Sequence, residues 1–460
     1  MSNIQIKHLE YFVQSPYFNK KEEVLQLFQH IISFKPQYKN KKLDRHFILA
    51  NLFNNKKYNE KDIGYWTSDL VQIVNDFLTF ESLKKEDIMF DNLLLTQYNL
   101  LHLDSSFQTN LKKTKKHFKQ KKLRNAQYYY DSFLINRQEN AFFDRQKKHR
   151  HNESLQKTVD DLDLFYFIEK LKYSCELINR QQIVATSYEV HFIQEIMHYL
   201  EKTKYKNEPA IAIYITILKC LLEAEEEIHF ANLKLLLANN YHLFEKTEAR
   251  DMYMYGINYC VKKINMGAAH YFKELFVIYK TSLEKALLYD GSYLSPWSFK
   301  NIVAVAIKNK EYTWLEQFIQ SHKKRLAVSF RQNAYSYSMA DLFFHQRKYK
   351  KAMQELLQVS FDDVFYSTES KVLLMCIYYE LDEIEALLAL ADSFKIYLRR
   401  SKLLSDNHII VYMNFIKLLA RLAKAEKYES KKIKRILERL NSLPKVANKT
   451  WLYEKISEKQ

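Results

Sequence analysis

The chain has 460 residues and a formal net charge of +17, yet it contains only four glycines and five prolines. Average composition would give about 30 glycines and about 20 prolines at this length. Because β-rich and α/β proteins need glycine at their turns, the scarcity excludes those classes and predicts an all-α fold of helical hairpins. Gly64, Gly256, Gly267 and Gly291 are also too dispersed for a P-loop or a dinucleotide-binding turn. We therefore expect no enzymatic activity and no cofactor.

The cysteines and the hydropathy pattern indicate where in the cell the protein is expected. Cys175, Cys220, Cys260 and Cys376 are widely separated, form no CxxC pair and lie in apolar stretches. They are expected to be small buried hydrophobes, not disulfide partners or zinc ligands. Residues 1–13 show no signal-peptide pattern, and no run approaches the ~18 apolar residues of a membrane span. The sequence thus predicts a soluble, cytoplasmic protein that does not associate with membranes.

Residues 1–105 are predicted to form an N-terminal helical unit, because apolar residues recur at helical spacing in three separate segments. Prolines suggest where helices begin. Pro16, Pro209 and Pro296 each precede an apolar-periodic segment, and proline is favoured at the first helical position. Each of these prolines therefore predicts a helix start.

The N-terminal region also resembles a known family. The matching residues are Ser15-Pro16-Tyr17-Phe18-Asn19-Lys20, Leu43 to Phe53, and Lys57-Tyr58-Asn59. They resemble the N-terminal region of uncharacterised all-helical, TPR-like proteins from Bacteroidota genomes, over the first fifth of the chain. The resemblance implies a helical fold and a bacterial source. That family has no known activity to transfer to this chain.

Residues 107–150 are predicted to form a basic helical segment. Residues 112–150 contain 13 Lys/Arg and 3 Asp/Glu, a net charge of +10. Tyr128, Tyr129, Tyr130, Phe142 and Phe143 follow the most basic part. Lysines with nearby aromatics are typical of single-strand or RNA binders, so these residues are candidates for nucleic-acid or polyanion binding. There are two alternatives. The lysines could form a solvated face whose aromatic neighbours belong to the core, or they could bind an acidic protein partner. The candidates are Lys112, Lys113, Lys115, Lys116, Lys119, Lys121, Lys122 and Arg124.

Residues 151–290 are predicted to form further helical hairpins, and they contain two weak metal-site candidates. Glu195 with His198 and Glu226 with His229 form ExxH pairs, which place both side chains on one helix face. A di-iron bundle needs two additional inward glutamates, and none is identifiable. We expect no metal site. His149 and His151 lie in a strongly basic stretch, whose charge opposes cation binding.

Residues 296–460 show an internal repeat with a C-terminal cap. Tyr312, Tyr349 and Ile384 are 37 and 35 residues apart, close to the ~34-residue period of TPR units. The fold class predicted is therefore an all-α, TPR-like solenoid of stacked hairpins with an N-terminal helical unit. The first helices of the repeats should line a groove. Its predicted wall residues are Lys300, Lys308, Tyr337, Asp341, Phe344 and His345.

Two further expectations concern this C-terminal region. Trp451 is predicted to pack against the helix at residues 429–441, as part of a final cap at residues 447–460. Ala304 occupies a position where TPR domains that clamp a terminal carboxylate have asparagine, which argues against such a clamp.

The sequence favours one function with one alternative. A non-enzymatic helical-repeat scaffold that binds a protein or peptide is the first expectation. The alternative is a regulator that binds nucleic acid or another polyanion through residues 112–150. A small-molecule ligand is not expected.

Overall fold

The protein is almost entirely α-helical in the computed structural model, which describes residues 1–53, 58–146, 152–183, 187–359, 364–401, 404–426 and 429–460. The predicted all-α class is confirmed. Within these ranges the strands are β1 (Tyr289–Asp290) and β2 (Tyr293–Leu294), which pair antiparallel. Residues 147–151, which include His149 and His151, and residue Lys57 lie outside the described part of the chain.

The chain divides into two compact units. Unit 1 comprises residues 1–174 and 189–211, and unit 2 comprises residues 175–188 and 212–460. The segments expected at 1–105 and 107–150 belong to unit 1, and the segment expected at 296–460 belongs to unit 2. The segment expected at 151–290 contributes to both units.

Among the described residues, unit 1 contains eight whole helices, most of a ninth and the first residues of a tenth. They are α1 (Asn3–Gln14), α2 (Glu22–Ile32), α3 (Arg45–Leu52), α4 (Glu60–Lys85), α5 (Asp87–Leu100), α6 (Asp104–Phe118), α7 (Ala126–Arg145), α8 (Glu153–Ile183), α9 (Ile193–Lys202) and α10 (Pro209–Leu222). Residues 175–183 of α8 and 212–222 of α10 belong to unit 2.

Two apolar clusters hold unit 1 together. The first joins α1 to α4 around residues such as Leu27, Ile63 and Phe77. The second joins α5, α6 and α7 around Ile88 and Phe107, which are almost fully buried. Several helices of the unit begin with a side-chain cap. For example, Asn125 accepts a hydrogen bond from the backbone N–H of Tyr128 at the start of α7.

Unit 2 contains the remaining helices. They are α11 (Glu227–Asn240), α12 (Lys246–Asn265), α13 (Tyr271–Glu284), α14 (Pro296–Lys308), α15 (Tyr312–His322), α16 (Val328–His345), α17 (Tyr349–Leu356), α18 (Val364–Glu380), α19 (Ile384–Arg400), α20 (Asp406–Ala423), α21 (Ser430–Ser442) and α22 (Lys449–Lys459).

The helices of unit 2 pack in chain order. From α11 to α22 each helix contacts the next, and α14 contacts α16, which contacts α18. The residues that defined the predicted repeat occupy equivalent places, because Tyr312, Tyr349 and Ile384 are the first residues of α15, α17 and α19. Ala340 and Ala352, at the contact of α16 with α17, are fully buried and allow the two helices to approach closely.

A recurring turn ends the first helix of each pair. Gly267, Lys310, Arg347 and Asp382 all have positive φ, and each follows a helix by two residues. At Lys310 the N–H donates to the Ile307 carbonyl, and the next N–H donates to the Ala306 carbonyl. Arg347 and Asp382 make the same pair of bonds. This is the Schellman arrangement, which normally favours glycine at the left-handed position. Lys310, Arg347 and Asp382 make it without glycine, so these three residues are strained.

Arg347→Gly is therefore expected to stabilise unit 2. Glycine adopts φ near +61° without the Cβ clash that arginine suffers, and the gain should be about 0.5–1 kcal/mol after the added flexibility of the unfolded chain. Thermal unfolding followed by circular dichroism measures it. Lys348→Gly is the matched control, because Lys348 has φ −92° and should gain nothing. A lower melting temperature for Arg347→Gly would contradict the strain argument.

Candidate binding groove and basic surface

The predicted groove residues lie together in unit 2. They border a cavity of about 510 Å³, here called the groove cavity. Lys300 is the exception, and it reaches the cavity wall through an ion pair with Glu369. The predicted residues that line the cavity directly are Lys308, Tyr337, Asp341, Phe344 and His345.

Helix geometry explains why these side chains converge. Tyr337, Asp341 and His345 are four residues apart on α16, so they share one face of the helix. Ala304 and Lys308 are likewise four apart on α14, which contacts α16. Lys308 and His345 are the last residues of their helices, so both basic side chains lie at the negative end of a helix dipole.

Residues that the sequence did not place in the groove wall complete the groove cavity. The most informative are Glu369 and Val372 on α18, Tyr412 on α20, and Trp451 in the first turn of α22. Val372 lies 35 residues after Tyr337, so extending the repeat by one period would have identified it. Trp451 belongs to a helix outside the repeat, and no periodic signal marks it.

Two contacts between acidic and basic side chains lie at the groove cavity. Lys300 Nζ lies 2.5 Å from Glu369 Oε1, and His345 Nδ1 lies 3.2 Å from Asp341 Oδ1. The partial burial of His345 acts to lower its pKa, but the hydrogen bond and charge of Asp341 outweigh it, and the pKa is raised above the usual histidine value. Burial also raises the pKa of the Tyr337 hydroxyl well above its usual value, and nearby Glu369 and Asp341 add to the effect.

The two carboxylates of the groove cavity each have a basic partner. Asp341 is paired with His345, and Glu369 is paired with Lys300. Lys308 is exposed, and no carboxylate of the described residues lies within 4 Å of its ammonium group. Lys449 donates from Nζ to the backbone carbonyl of Leu443 at 3.1 Å. The cavity therefore combines aromatic walls with at least one cation that has no ionic partner.

Helix α22 closes one side of the groove cavity and is firmly attached. Trp451 Nε1 donates to Glu380 Oε1 at 2.9 Å, and its ring makes an edge contact with Tyr379 at 5.5 Å. The ring therefore packs on α18, and the expectation that it would pack against residues 429–441 is wrong. Leu452 and Ile456 instead provide the buried face of α22, which contacts α20 and α21.

In the basic segment the structure separates the eight candidate cations into two groups. Three make intramolecular contacts. Lys115 Nζ lies 2.5 Å from Glu139 Oε2, and Lys121 Nζ lies 2.6 Å from Asp131 Oδ2. The Arg124 guanidinium donates to two backbone carbonyls and lies over the Tyr128 ring at 4.1 Å.

The other five cations are exposed, and none has a carboxylate of the described residues within 4 Å. We call them the lysine row; they are Lys112, Lys113, Lys116, Lys119 and Lys122.

The aromatic residues of the basic segment face inward. Tyr128 stacks on Phe118 at 4.6 Å, and Phe142 stacks on Phe107 at 4.4 Å. Tyr129 is buried, and its hydroxyl donates to Glu208 at 2.5 Å. Tyr130 lies 5.0 Å from Phe165. Phe143 is half-buried. The expected combination of lysines with aromatics available for base stacking is therefore not formed, because these rings pack within unit 1.

The two ExxH pairs have ordinary surroundings. Glu195 and His198 are exposed on α9, and His198 Nε2 lies 2.7 Å from Lys202 Nζ. Glu226 is exposed just before α11, and His229 is paired with Glu223 at 2.7 Å. Among the described residues, no three or more His, Cys, Asp or Glu side chains form a group that could hold a metal ion.

The four cysteines are buried and unpaired. Burial raises the pKa of each thiol, to about 12 at Cys220 and well above its usual value at Cys175. Because a thiolate is the reactive form, these residues have the character of small apolar side chains. Cys220 borders a second cavity of unit 2, about 560 Å³ in volume and mainly apolar, which lies between α10 and α12.

Comparisons with known proteins identify no relative. No protein-family model, no curated protein and no solved structure matches the chain. Across the described ranges, every helix is too short or too polar to cross a bilayer. The interpretation of function therefore depends on the geometry of the groove cavity and of the lysine row.

Proposed function

We propose that the protein is a non-enzymatic adaptor whose TPR-like helical repeats bind an extended segment of a partner protein in the groove cavity. One observation supports this above all. Five of the six wall residues predicted from the repeat spacing line a single cavity, and the sixth is ion-paired to its wall.

The chemistry of the groove cavity suits a peptide. Tyr337, Phe344 and Trp451 offer aromatic surface to an apolar side chain of the partner. The paired charges around that surface supply fixed donors and acceptors for a peptide backbone. The cavity volume of about 510 Å³ falls within the range of about 300–1,000 Å³ common for ligand sites. Lys308 adds a preference for an acidic side chain on the partner.

The decisive variant is Ala304→Arg. Ala304 is exposed on α14 and borders the groove cavity, so a long side chain there should fill the cavity without disturbing the core. Peptides selected from a display library on the full-length protein, after nuclease treatment, should bind wild type and lose at least about tenfold in affinity with the variant. Anisotropy of a labelled selected peptide measures the change.

Ala389→Arg is the matched control. Ala389 is an exposed alanine in α19 that does not border the groove cavity, so the substitution adds the same charge and volume elsewhere in unit 2. Its affinity should equal that of wild type. Equal loss in both variants, or equal retention in both, would overturn the proposed site. Recovery of nucleic acid or a small molecule in place of any peptide would overturn the adaptor function.

A further inference from the structure

The lysine row occupies one exposed side of α6 and the segment after it. Lys112, Lys116 and Lys119 are spaced i, i+4 and i+7, so they follow one stripe of the helix, about 10 Å long. Lys113 and Lys122 flank the stripe. The opposite face of α6 is buried through Phe107 and Leu111. The fold therefore holds these cations outward in a fixed arrangement.

The nearby carboxylates leave the lysine row without neutralisation. Glu139 and Asp131 on α7 pair with Lys115 and Lys121, which lie closer to the core of unit 1. Like charges three or four residues apart on a helix repel each other. The ammonium groups of the lysine row therefore repel one another, and a bound polyanion would offset this repulsion.

We propose that the lysine row binds the phosphate backbone of a double-stranded nucleic acid. This surface is separate from the groove cavity and independent of the adaptor function. Single strands are usually held by stacking their bases on aromatic side chains. Here Tyr128 and Phe142 stack on Phe118 and Phe107, so those rings offer no platform. A duplex presents regularly spaced phosphates and needs only cations, which the row supplies.

An anionic membrane fits this surface less well. Membrane-binding helices combine basic residues with exposed apolar side chains that enter the lipid. The exposed leucines of this region, Leu100, Leu101 and Leu103, precede the start of α6. The residues beside the lysine row, such as Thr109 and Gln120, are polar.

The test is anisotropy of labelled duplexes of DNA and of RNA, and of matching single strands, with the full-length protein. Five phosphate contacts predict that log affinity falls with log salt at a slope of about −4.5, a loss of about 500-fold between 50 and 200 mM. At any one salt concentration the duplexes should bind more tightly than the single strands. Comparing the DNA and RNA arms shows which duplex is preferred.

The variant combines Lys112→Gln, Lys116→Gln and Lys119→Gln. Losing three contacts should weaken duplex binding about 500-fold at 100 mM salt and change the slope from about −4.5 to about −1.8. The control combines Lys431→Gln, Lys434→Gln and Lys445→Gln, three exposed lysines of unit 2, with the same change in net charge. The control should bind duplexes within a factor of about two of wild type.

Several results would overturn the proposal. They are no duplex binding at 50 mM salt, equal losses in variant and control, and tighter binding of single strands. Tighter, lysine-dependent binding to vesicles that contain phosphatidylserine would also overturn it. Thermal melts followed by circular dichroism check that the variant is folded. We expect that it is, because glutamine is a good helix former. If it does not fold, Lys113→Gln with Lys122→Gln replaces it; this double variant keeps three of the five contacts, so the expected slope is about −2.7.

Discussion

Glu380→Ala is expected to lower the free energy of unfolding of unit 2 by about 3 kcal/mol, at the lower end of the cost of breaking a buried ion pair. Glu380 is the last residue of α18 and its side chain is 12% exposed. It accepts from Lys455 Nζ at 2.9 Å and from Trp451 Nε1 at 2.9 Å. Removing the carboxylate leaves a buried ammonium with Glu458 as its remaining ionic partner. The substitution therefore removes two polar contacts between α22 and α18 at once.

Thermal unfolding measures the effect of Glu380→Ala. About 3 kcal/mol corresponds to a fall of about 6–12 °C in the melting temperature for a domain of this size. Glu385→Ala is the control, since Glu385 is exposed on α19 and should cost less than about 0.5 kcal/mol. Equal melting temperatures for the two variants would mean that Glu380 does not hold α22 in place.

Trp451→Ala is expected to cost about 2–4 kcal/mol. A fully buried tryptophan costs about 3–5 kcal/mol on truncation, and this ring is half-buried. The loss includes its contacts with Tyr379 and Phe344 and its hydrogen bond to Glu380. Chemical denaturation of the full-length chain, followed by circular dichroism, measures the change.

Trp297→Ala controls for the removal of an indole. Trp297 is 60% exposed, so Trp297→Ala should lower the free energy of unfolding much less than Trp451→Ala. Because Trp451 shares Glu380, the double variant Glu380→Ala with Trp451→Ala should cost less than the sum of the two single variants. Strict additivity would mean that the two side chains do not act together in the structure.

The sequence predicted local structure well where one physical cause dominates. The shortage of glycine indicated helices, and the repeat spacing identified the first residues of α15, α17 and α19. Pro209 and Pro296 begin α10 and α14 as expected. Pro16 does not begin a helix, because Ser15 ends α1 in an extended conformation. The residue before proline avoids helical angles, so the same Ser-Pro pair is compatible with an end or a start.

The groove cavity could be predicted only in part. The repeat placed Lys308 and Tyr337 on faces of α14 and α16 that meet, because helix periodicity fixes side-chain direction. Trp451 was assigned to the wrong neighbour. Its position depends on how α22 returns across α18, which is set by long-range contacts such as the Lys455–Glu380 pair. Such pairing leaves no periodic trace in a sequence.

The basic segment shows the same limit. Counting charges identified the segment, but it could not separate the lysine row from Lys115 and Lys121. That distinction depends on Glu139 and Asp131, which lie ten or more residues away on α7. The inward orientation of Tyr128 depends likewise on a stacking partner, Phe118, from another helix.

Hydrogen–deuterium exchange of the full-length chain, with and without a selected partner peptide, tests the adaptor proposal most directly. The proposal predicts slower amide exchange on binding at 304–308, 337–345 and 447–451, which are three of the segments that border the groove cavity. It predicts no change at 112–122. Protection confined to unit 1, or a peptide that binds without protecting any of the three segments, would contradict the account.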